Sequence, residues 1–113
     1  MSNINRVTLT GNLTREPELR STMSGVSCLA FTLAVNDRVR SQVTGEWEDR
    51  PNFIDVTLFG KRGEHLVNVL NTGFKVAVDG KLRWTQWEKD GIKRSKIDVI
   101  ADDIELLTKP HEK

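Results

Sequence analysis

Residues 52–60 read Asn52-Phe53-Ile54-Asp55-Val56-Thr57-Leu58-Phe59-Gly60. The period of two predicts a strand with Ile54, Val56 and Leu58 on one side, an aliphatic set suited to lining a core. The other side carries Phe53, Asp55, Thr57 and Phe59. A water-facing side is ordinarily polar, yet this one holds an aromatic ring at each end with an acid and a hydroxyl between. Two flat apolar rings on the polar face of a strand call for a partner from outside the core.

Upstream, Asp37 to Pro51 is polar and charged around Thr44-Gly45 and reads as a long hairpin loop, a length more often functional or mobile. Trp47 lies in it, where packing back onto the domain and touching a ligand both remain open. Val26 to Asn36 is a second long strand, with Leu29, Phe31, Leu33 and Val35 as its bulky face. Its reverse face of Cys28, Ala30, Thr32 and Ala34 suits close covering by another element or a second chain. The first strand runs from Ile4 to Leu13, with Val7, Leu9 and Leu13 inward. Gly11 on that apolar side marks a bulge or sharp bend. Pro17 then breaks regular structure before a short extended piece at Leu19-Arg20.

Downstream, Gly63, Leu66, Val67 and Leu70 make one face of a short helix within 61–70. Phe74 to Leu82 is a fourth strand, with Phe74, Val76, Val78 and Leu82 inward. It continues as a ribbon to the hairpin turn Asp90-Gly91. By parity Trp87 faces outward with Arg83, and Trp84 inward unless the ribbon has already left the barrel. Ile92 to Leu107 is the fifth strand. Its apolar phase moves from odd positions (Ile97, Val99, Ala101) to even ones (Ile104, Leu106), which requires a bulge at Asp102-Asp103. The order β-β-β-α-β-β predicts an all-β, five-stranded Greek-key barrel, the OB-fold, with one helix between strands 3 and 4. An open five-stranded sheet crossed by a helix is the alternative.

At 113 residues the chain is about one domain, read as 1–108 with a short polar tail over 109–113. Seventeen basic and sixteen acidic residues give a net +1, against a strongly basic surface. The distribution is uneven: Lys61 to Lys96 holds nine Lys/Arg against four Asp/Glu, while Ile97 onward holds two against five. A single Cys28 excludes an internal disulfide and reads as a buried thiol. No apolar run approaches the ~18 residues of a membrane span, and the first residues lack signal-peptide character. A soluble, cytoplasmic protein without membrane association is expected.

No catalytic constellation emerges. His65 lies in the helix and His111 in the tail, neither beside a nucleophile or ligand set. Asp102-Asp103 point to opposite faces of a strand and suit a bulge better than a metal pair. Gly60-Lys-Arg-Gly63 lacks the Walker pattern. No enzyme activity, metal or cofactor is expected. Phe53, Phe59 and Trp87 differ from core aromatics such as Phe31 and Phe74, because their alternating neighbours already supply the core. Lys61, Lys81 and Arg83 flank them. Rings interleaved with cations offer unstacked bases a platform while Lys and Arg meet phosphates. This pattern points to single-stranded nucleic acid bound with little sequence preference. A protein interface is the rival, since it also favours aromatics and Arg, and an RNA-binding domain is a third reading.

The chain resembles bacterial single-stranded DNA-binding proteins of the replication type from about Ile4 to Leu107. The resemblance runs through Asn5-Arg6-Val7, Gly11-Asn12-Leu13, Pro17-Glu18-Leu19-Arg20, Phe31-Thr32-Leu33-Ala34, Thr44-Gly45-Glu46 and Phe53. It continues through Leu58-Phe59-Gly60-Lys61, Gly73, Val76, Val78, Gly80-Lys81-Leu82-Arg83, Trp87 and Gly91. It implies an OB-fold homotetramer that wraps single-stranded DNA in replication, recombination and repair. Its stacking aromatics fall on Phe53, Phe59 and Trp87. Its phosphate-contacting bases fall on or near Arg6, Arg20, Lys61, Arg83 and Arg94. Trp47 and Trp84 are further candidates that match no family aromatic.

Two departures stand out. Val39, between Arg38 and Arg40, occupies the place of another stacking aromatic, leaving that part of the path to charge or to Trp84. The family usually continues into a Gly/Pro/Gln-rich segment with an acidic tip that recruits replication and repair proteins. This sequence ends at Lys113, which fits a core or a natural short form, and tail-mediated recruitment is expected only of a longer form. Asp55, between the two rings, is expected to pair with an Arg or Lys of a neighbouring strand.

Overall fold

In the computed structural model, which describes residues 2–108, nearly all of the alternating sequence becomes strand. The elements are β1 (Val7–Leu13), β2 (Glu18–Ser21), β3 (Ser27–Arg40), β4 (Trp47–Phe59), α1 (Arg62–Leu66), β5 (Lys75–Lys89) and β6 (Ile92–Thr108). The tail 109–113, with His111, lies outside the described residues.

The sheet closes on itself. Its order is β1-β5-β6-β4-β3, and β1 pairs again with β3 through Asn12↔Ala34 and Leu13↔Leu33. Every pairing is antiparallel except β4 with β6, where Val56 meets Val99 and Thr57 meets Ile100. The result is the five-stranded OB-fold barrel, with α1 between β4 and β5. The short extended piece after Pro17 is a strand of its own, β2, paired with β3 from Glu18↔Ala30 to Ser21↔Ser27.

Alternation explains the core. Leu29, Phe31 and Leu33 of β3, Val56 and Leu58 of β4, and Val76 and Val78 of β5 are all buried. Burying each such side chain contributes ~1.5–3 kcal/mol. Gly11 sits where β1 leaves β5 for β3, and a Cβ there would lie 2.8 Å from the Ala34 carbonyl oxygen. The phase change in β6 is a bulge: Asp79 pairs with Asp103 and Gly80 with Ala101, leaving Asp102 unpaired. The helix is shorter than its apolar face suggests, five residues followed by turns that carry Leu70 into the core.

Three expectations are corrected. Asp37 to Pro51 is a paired ribbon, not a loop, since β3 and β4 stay in register out to Arg40↔Trp47 and only 41–46 turn. Its alternation is invisible because a ribbon projecting beyond the barrel has no buried face to encode. The β5–β6 ribbon also projects, so Leu82 and Ile97, with inward parity, are exposed. Cys28 is half-buried rather than buried, being on the outer face of β3.

Candidate nucleic-acid interface

Residues directly opposite in paired strands share a face, so register places each candidate side chain. On β4 the odd positions face out, and their β3 partners are Ala34 (to Phe53), Thr32 (to Asp55), Ala30 (to Thr57) and Cys28 (to Phe59). β2 extends one row further, with Arg20 opposite Cys28 and Glu18 opposite Ala30. On the other flank, Thr57 aligns with Ile100 of β6, which pairs with Lys81 of β5. The same outer face of β5 and β6 carries Arg83 opposite Asp98, Thr85 opposite Lys96 and Trp87 opposite Arg94. Five strands thus present one continuous surface.

Phe53, Phe59 and Trp87 are 66%, 41% and 42% exposed on it. The guanidinium carbon of Arg83 lies 5.8 Å from the centre of the Phe59 ring, within cation–π range. Arg94 and Lys61 are exposed, Lys61 at the start of α1 beside Phe59. Arg6 is exposed just before β1. Its neighbour Asn5 is anchored to β5, donating to the Leu82 carbonyl and accepting from the Leu82 N–H, both at 2.9 Å. Arg20 is held by Glu18, with Nη2 2.6 Å from Oε2. That hydrogen bond, and then the charge of the same guanidinium, keeps the Glu18 carboxyl below its ordinary value and raises Arg20 in turn.

Between the two phenylalanines the surface sinks into a hollow of about 270 Å³. Ala30, Thr32 and Thr57 line its middle, with Arg15, Glu18 and Arg20 on one side and Lys96 and Asp98 on the other. The small outer side chains of β3 make this depression. Asp55 pairs as expected: it accepts from Thr32 Oγ1 at 2.7 Å, and Lys96 Nζ lies 3.6 Å from its other oxygen. Lys96 also lies 3.3 Å from Asp98. Charge within the hollow is therefore balanced, and Arg20 and Lys96 are each paired with acids before any ligand arrives.

Two tryptophans separate here. Trp47 shares the parity of Phe53 and Phe59 and stands opposite Arg40. Trp84 stands opposite Ile97 on the reverse face of the β5–β6 ribbon, away from Trp87, so it does not join the platform. Lys96 and Arg15 are surface cations that reading by local pattern passed over. For Lys96 the available signal was its even parity with Arg94.

Residues 4–107 match the model of the single-strand binding protein family. The chain belongs to that family. Among its relatives is the single-stranded DNA-binding protein of Treponema pallidum, 39% identical over 107 residues, covering 95% of this chain and 60% of that protein. The one from Borreliella burgdorferi is 37% identical over 110 residues, covering 96% of this chain and 72% of the relative. This family member thus spans roughly two thirds of their length.

A crystal structure of a deletion mutant of the single-stranded DNA-binding protein from Thermus aquaticus superposes with a TM-score of 0.80 at 34% identity. It covers 95% of this chain and 52% of that one. The structure of a Plasmodium falciparum SSB complex with ssDNA superposes with a TM-score of 0.81 over 96% of this chain and 98% of its own. At 21% identity it speaks to the fold alone. Among the described residues no group of three or more His, Cys, Asp or Glu could hold a metal ion, and no helix is long and apolar enough to cross a membrane.

Proposed function

We propose that this family member binds single-stranded DNA with little sequence preference, without catalysis, and protects it in replication, recombination and repair. The observation that carries this reading is the sharing of one outer face by Phe53, Phe59 and Trp87, with Arg83 over Phe59 and Arg94 opposite Trp87. Exposed rings accept any base by stacking, at ~1–3 kcal/mol per base, and a duplex hides the base faces they would use. Arg6, Arg20, Lys61, Arg83 and Arg94 supply phosphate contacts around them. Relatives named for single-stranded DNA binding support the ligand class. A homotetramer acting in the bacterial cytoplasm is the assembly and setting that go with this reading.

The test is a salt-dependent titration with oligo-dT, read by tryptophan fluorescence, with a mass measurement on the same sample. Strong quenching is expected, with log affinity falling against log salt at about −0.7 per phosphate neutralised. Weak quenching by a folded chain would overturn the reading in favour of a protein partner. A matched RNA oligomer binding as well as the DNA would overturn the preference for DNA, since the 2′-OH is the chemical difference.

A further inference from the structure

We propose that the hollow between the two phenylalanines tells bases apart, taking the pairing edge of adenine in preference to the other bases through Asp55, Lys96 and Asp98. This rests on the outer face being a surface for single-stranded DNA, and adds one point of selection to stacking that accepts any base. Asp55 of β4 and Asp98 of β6 stand side by side, one row before the parallel pair Val56↔Val99, on adjacent strands ~4.8 Å apart. Both project outward, since Val56 and Val99 are the buried neighbours. Lys96 bridges them, with Nζ 3.6 Å from Asp55 Oδ2 and 3.3 Å from Asp98 Oδ1.

Ion pairing leaves hydrogen-bonding capacity in all three groups. Asp55 Oδ1 accepts from the Thr32 hydroxyl at 2.7 Å, while Oδ2 accepts no hydrogen bond among the described residues. Asp98 Oδ1 is buried without a hydrogen bond, because Lys96 stands near it without the alignment of a donor. A buried acceptor left in that state is rare in a folded protein. The rest of the Asp98 carboxylate lines the hollow, together with Asp55 and Lys96. The hollow measures about 270 Å³. That is close to the lower end of ligand pockets, ~300 Å³, and suits one base rather than a whole nucleotide. Phe53 is two residues from Asp55, about 7 Å along the strand, so the neighbour of a base stacked on Phe53 lies over the hollow.

The three groups run acceptor, donor, acceptor, because a carboxylate accepts and an ammonium donates. Adenine sets its amino group against one carboxylate, its N1 against Lys96 and a C–H against the other carboxylate, with no repulsive contact. Cytosine placed the same way turns its O2 carbonyl on the second carboxylate. Thymine is wrong throughout, with two carbonyls facing the carboxylates and its N–H facing the ammonium. Guanine and hypoxanthine can set their carbonyl on Lys96, but N7 then faces a carboxylate. Stacking cannot make this distinction. The edge can.

The test uses oligo-dT of about 16 nucleotides carrying adenine, hypoxanthine or 2,6-diaminopurine at the same evenly spaced positions, with binding read by anisotropy. The three bases share one purine frame and stack alike, so the edge is what differs. Diaminopurine presents donor, acceptor, donor, the full complement of the hollow. It should bind tightest, then adenine, with adenine ahead of hypoxanthine by about fivefold or more, the low end for a paired base edge. Asp55→Asn and Asp98→Asn should each bring adenine and hypoxanthine within about twofold, because an amide also offers a donor. Asp102→Asn, an acid on the bulge outside the hollow, should keep the wild-type order. If wild type binds all three tightly and alike, the hollow reads no edge and the platform stands. An order that survives both Asp55→Asn and Asp98→Asn arises elsewhere and overturns the proposal too. If wild type binds none of the three, nor oligo-dT itself, the platform fails and the selection with it.

Discussion

Arg83 of β5 lays its guanidinium carbon 5.8 Å from the centre of the Phe59 ring on β4, joining two strands that do not pair with each other. The contact covers part of the surface on which a base would stack. A base stacking on Phe59 would therefore have to displace Arg83 or lie against both. Ring and guanidinium should act as a unit.

Phe59→Ala is expected to lose ~1–3 kcal/mol of oligo-dT affinity, with little effect on folding because the ring is substantially exposed. Arg83→Ala should lose less. A double-mutant cycle by titration should return a coupling of ~0.5 kcal/mol or more. Additivity would mean that the two groups serve separate nucleotides.

Asp55 places a negative charge between the two phenylalanines, where phosphate repulsion would be felt. Its pairing with Lys96, which also touches Asp98, neutralises part of that charge and occupies the cation. Surface ion pairs of this exposure are worth ~0–1 kcal/mol to stability, so Asp55→Asn should leave thermal unfolding almost unchanged. Binding should change more: Lys96 is freed from one of its two acids, affinity for oligo-dT rises, and the salt slope steepens by up to ~0.7. Weaker binding by Asp55→Asn would show instead that the carboxylate itself accepts from a base.

The buried rows of the barrel were legible because each long strand has a face that must be apolar, as in Leu29-Phe31-Leu33 and Val76-Val78. The outward rings were legible for the same reason, being misfits on the opposite parity. What lay beyond local reading was whatever no buried face encodes. Asp37 to Pro51 pairs fully yet has no core to alternate against, so its strands pass for a loop. Whether Trp84 is inside or outside depends on where the ribbon leaves the barrel, which occurs after Gly80, since residues 81–97 are exposed throughout. Lys96 reaches Asp55 only because β4 and β6 pair in parallel at Val56↔Val99, a contact between distant segments that no local pattern announces.

Acid should loosen two surface ion pairs, Glu18 with Arg20 at the rim of the hollow and Asp103 of β6 with Arg62 of α1. Arg20 holds the Glu18 carboxyl below its ordinary value, first by hydrogen bond and then by charge, and Arg62 does the same for Asp103. A carboxyl depressed in the folded chain binds its proton less readily than in the unfolded chain. Its contribution is therefore complete above the ordinary values of 4.5 for Glu18 and 3.8 for Asp103, and is lost as pH falls through the lowered ones. Thermal unfolding followed from neutral pH downward should show stability falling below about pH 4.5. Glu18→Gln and Asp103→Asn should each flatten that fall slightly, both groups being at the surface. At neutral pH Glu18→Gln should also tighten oligo-dT binding, because Arg20 is released, and unchanged affinity would remove Arg20 from the phosphate contacts.

Gly80 sits at the root of the β5–β6 ribbon, paired with Ala101 beside the bulge at Asp102. Its φ is not in the left-handed region, so space and not conformation is what requires glycine here. A Cβ would overlap the Ile100 carbonyl oxygen and approach the Ala101 Cα to 3.0 Å. Both belong to the backbone of β6, which cannot rotate aside as a side chain can. Gly80→Ala must therefore push the two strands apart where they leave the barrel, at a cost of about 3 kcal/mol, the upper part of the range for overpacking. A urea midpoint within error of wild type would mean that the bulge absorbs the strain. Oligo-dT binding separates two ways of absorbing it. If the ribbon swings as a body, Trp87 and Arg94 move relative to Phe59 and affinity falls even in the folded variant. If only Asp102 rearranges, the outer face keeps its spacing and affinity is retained.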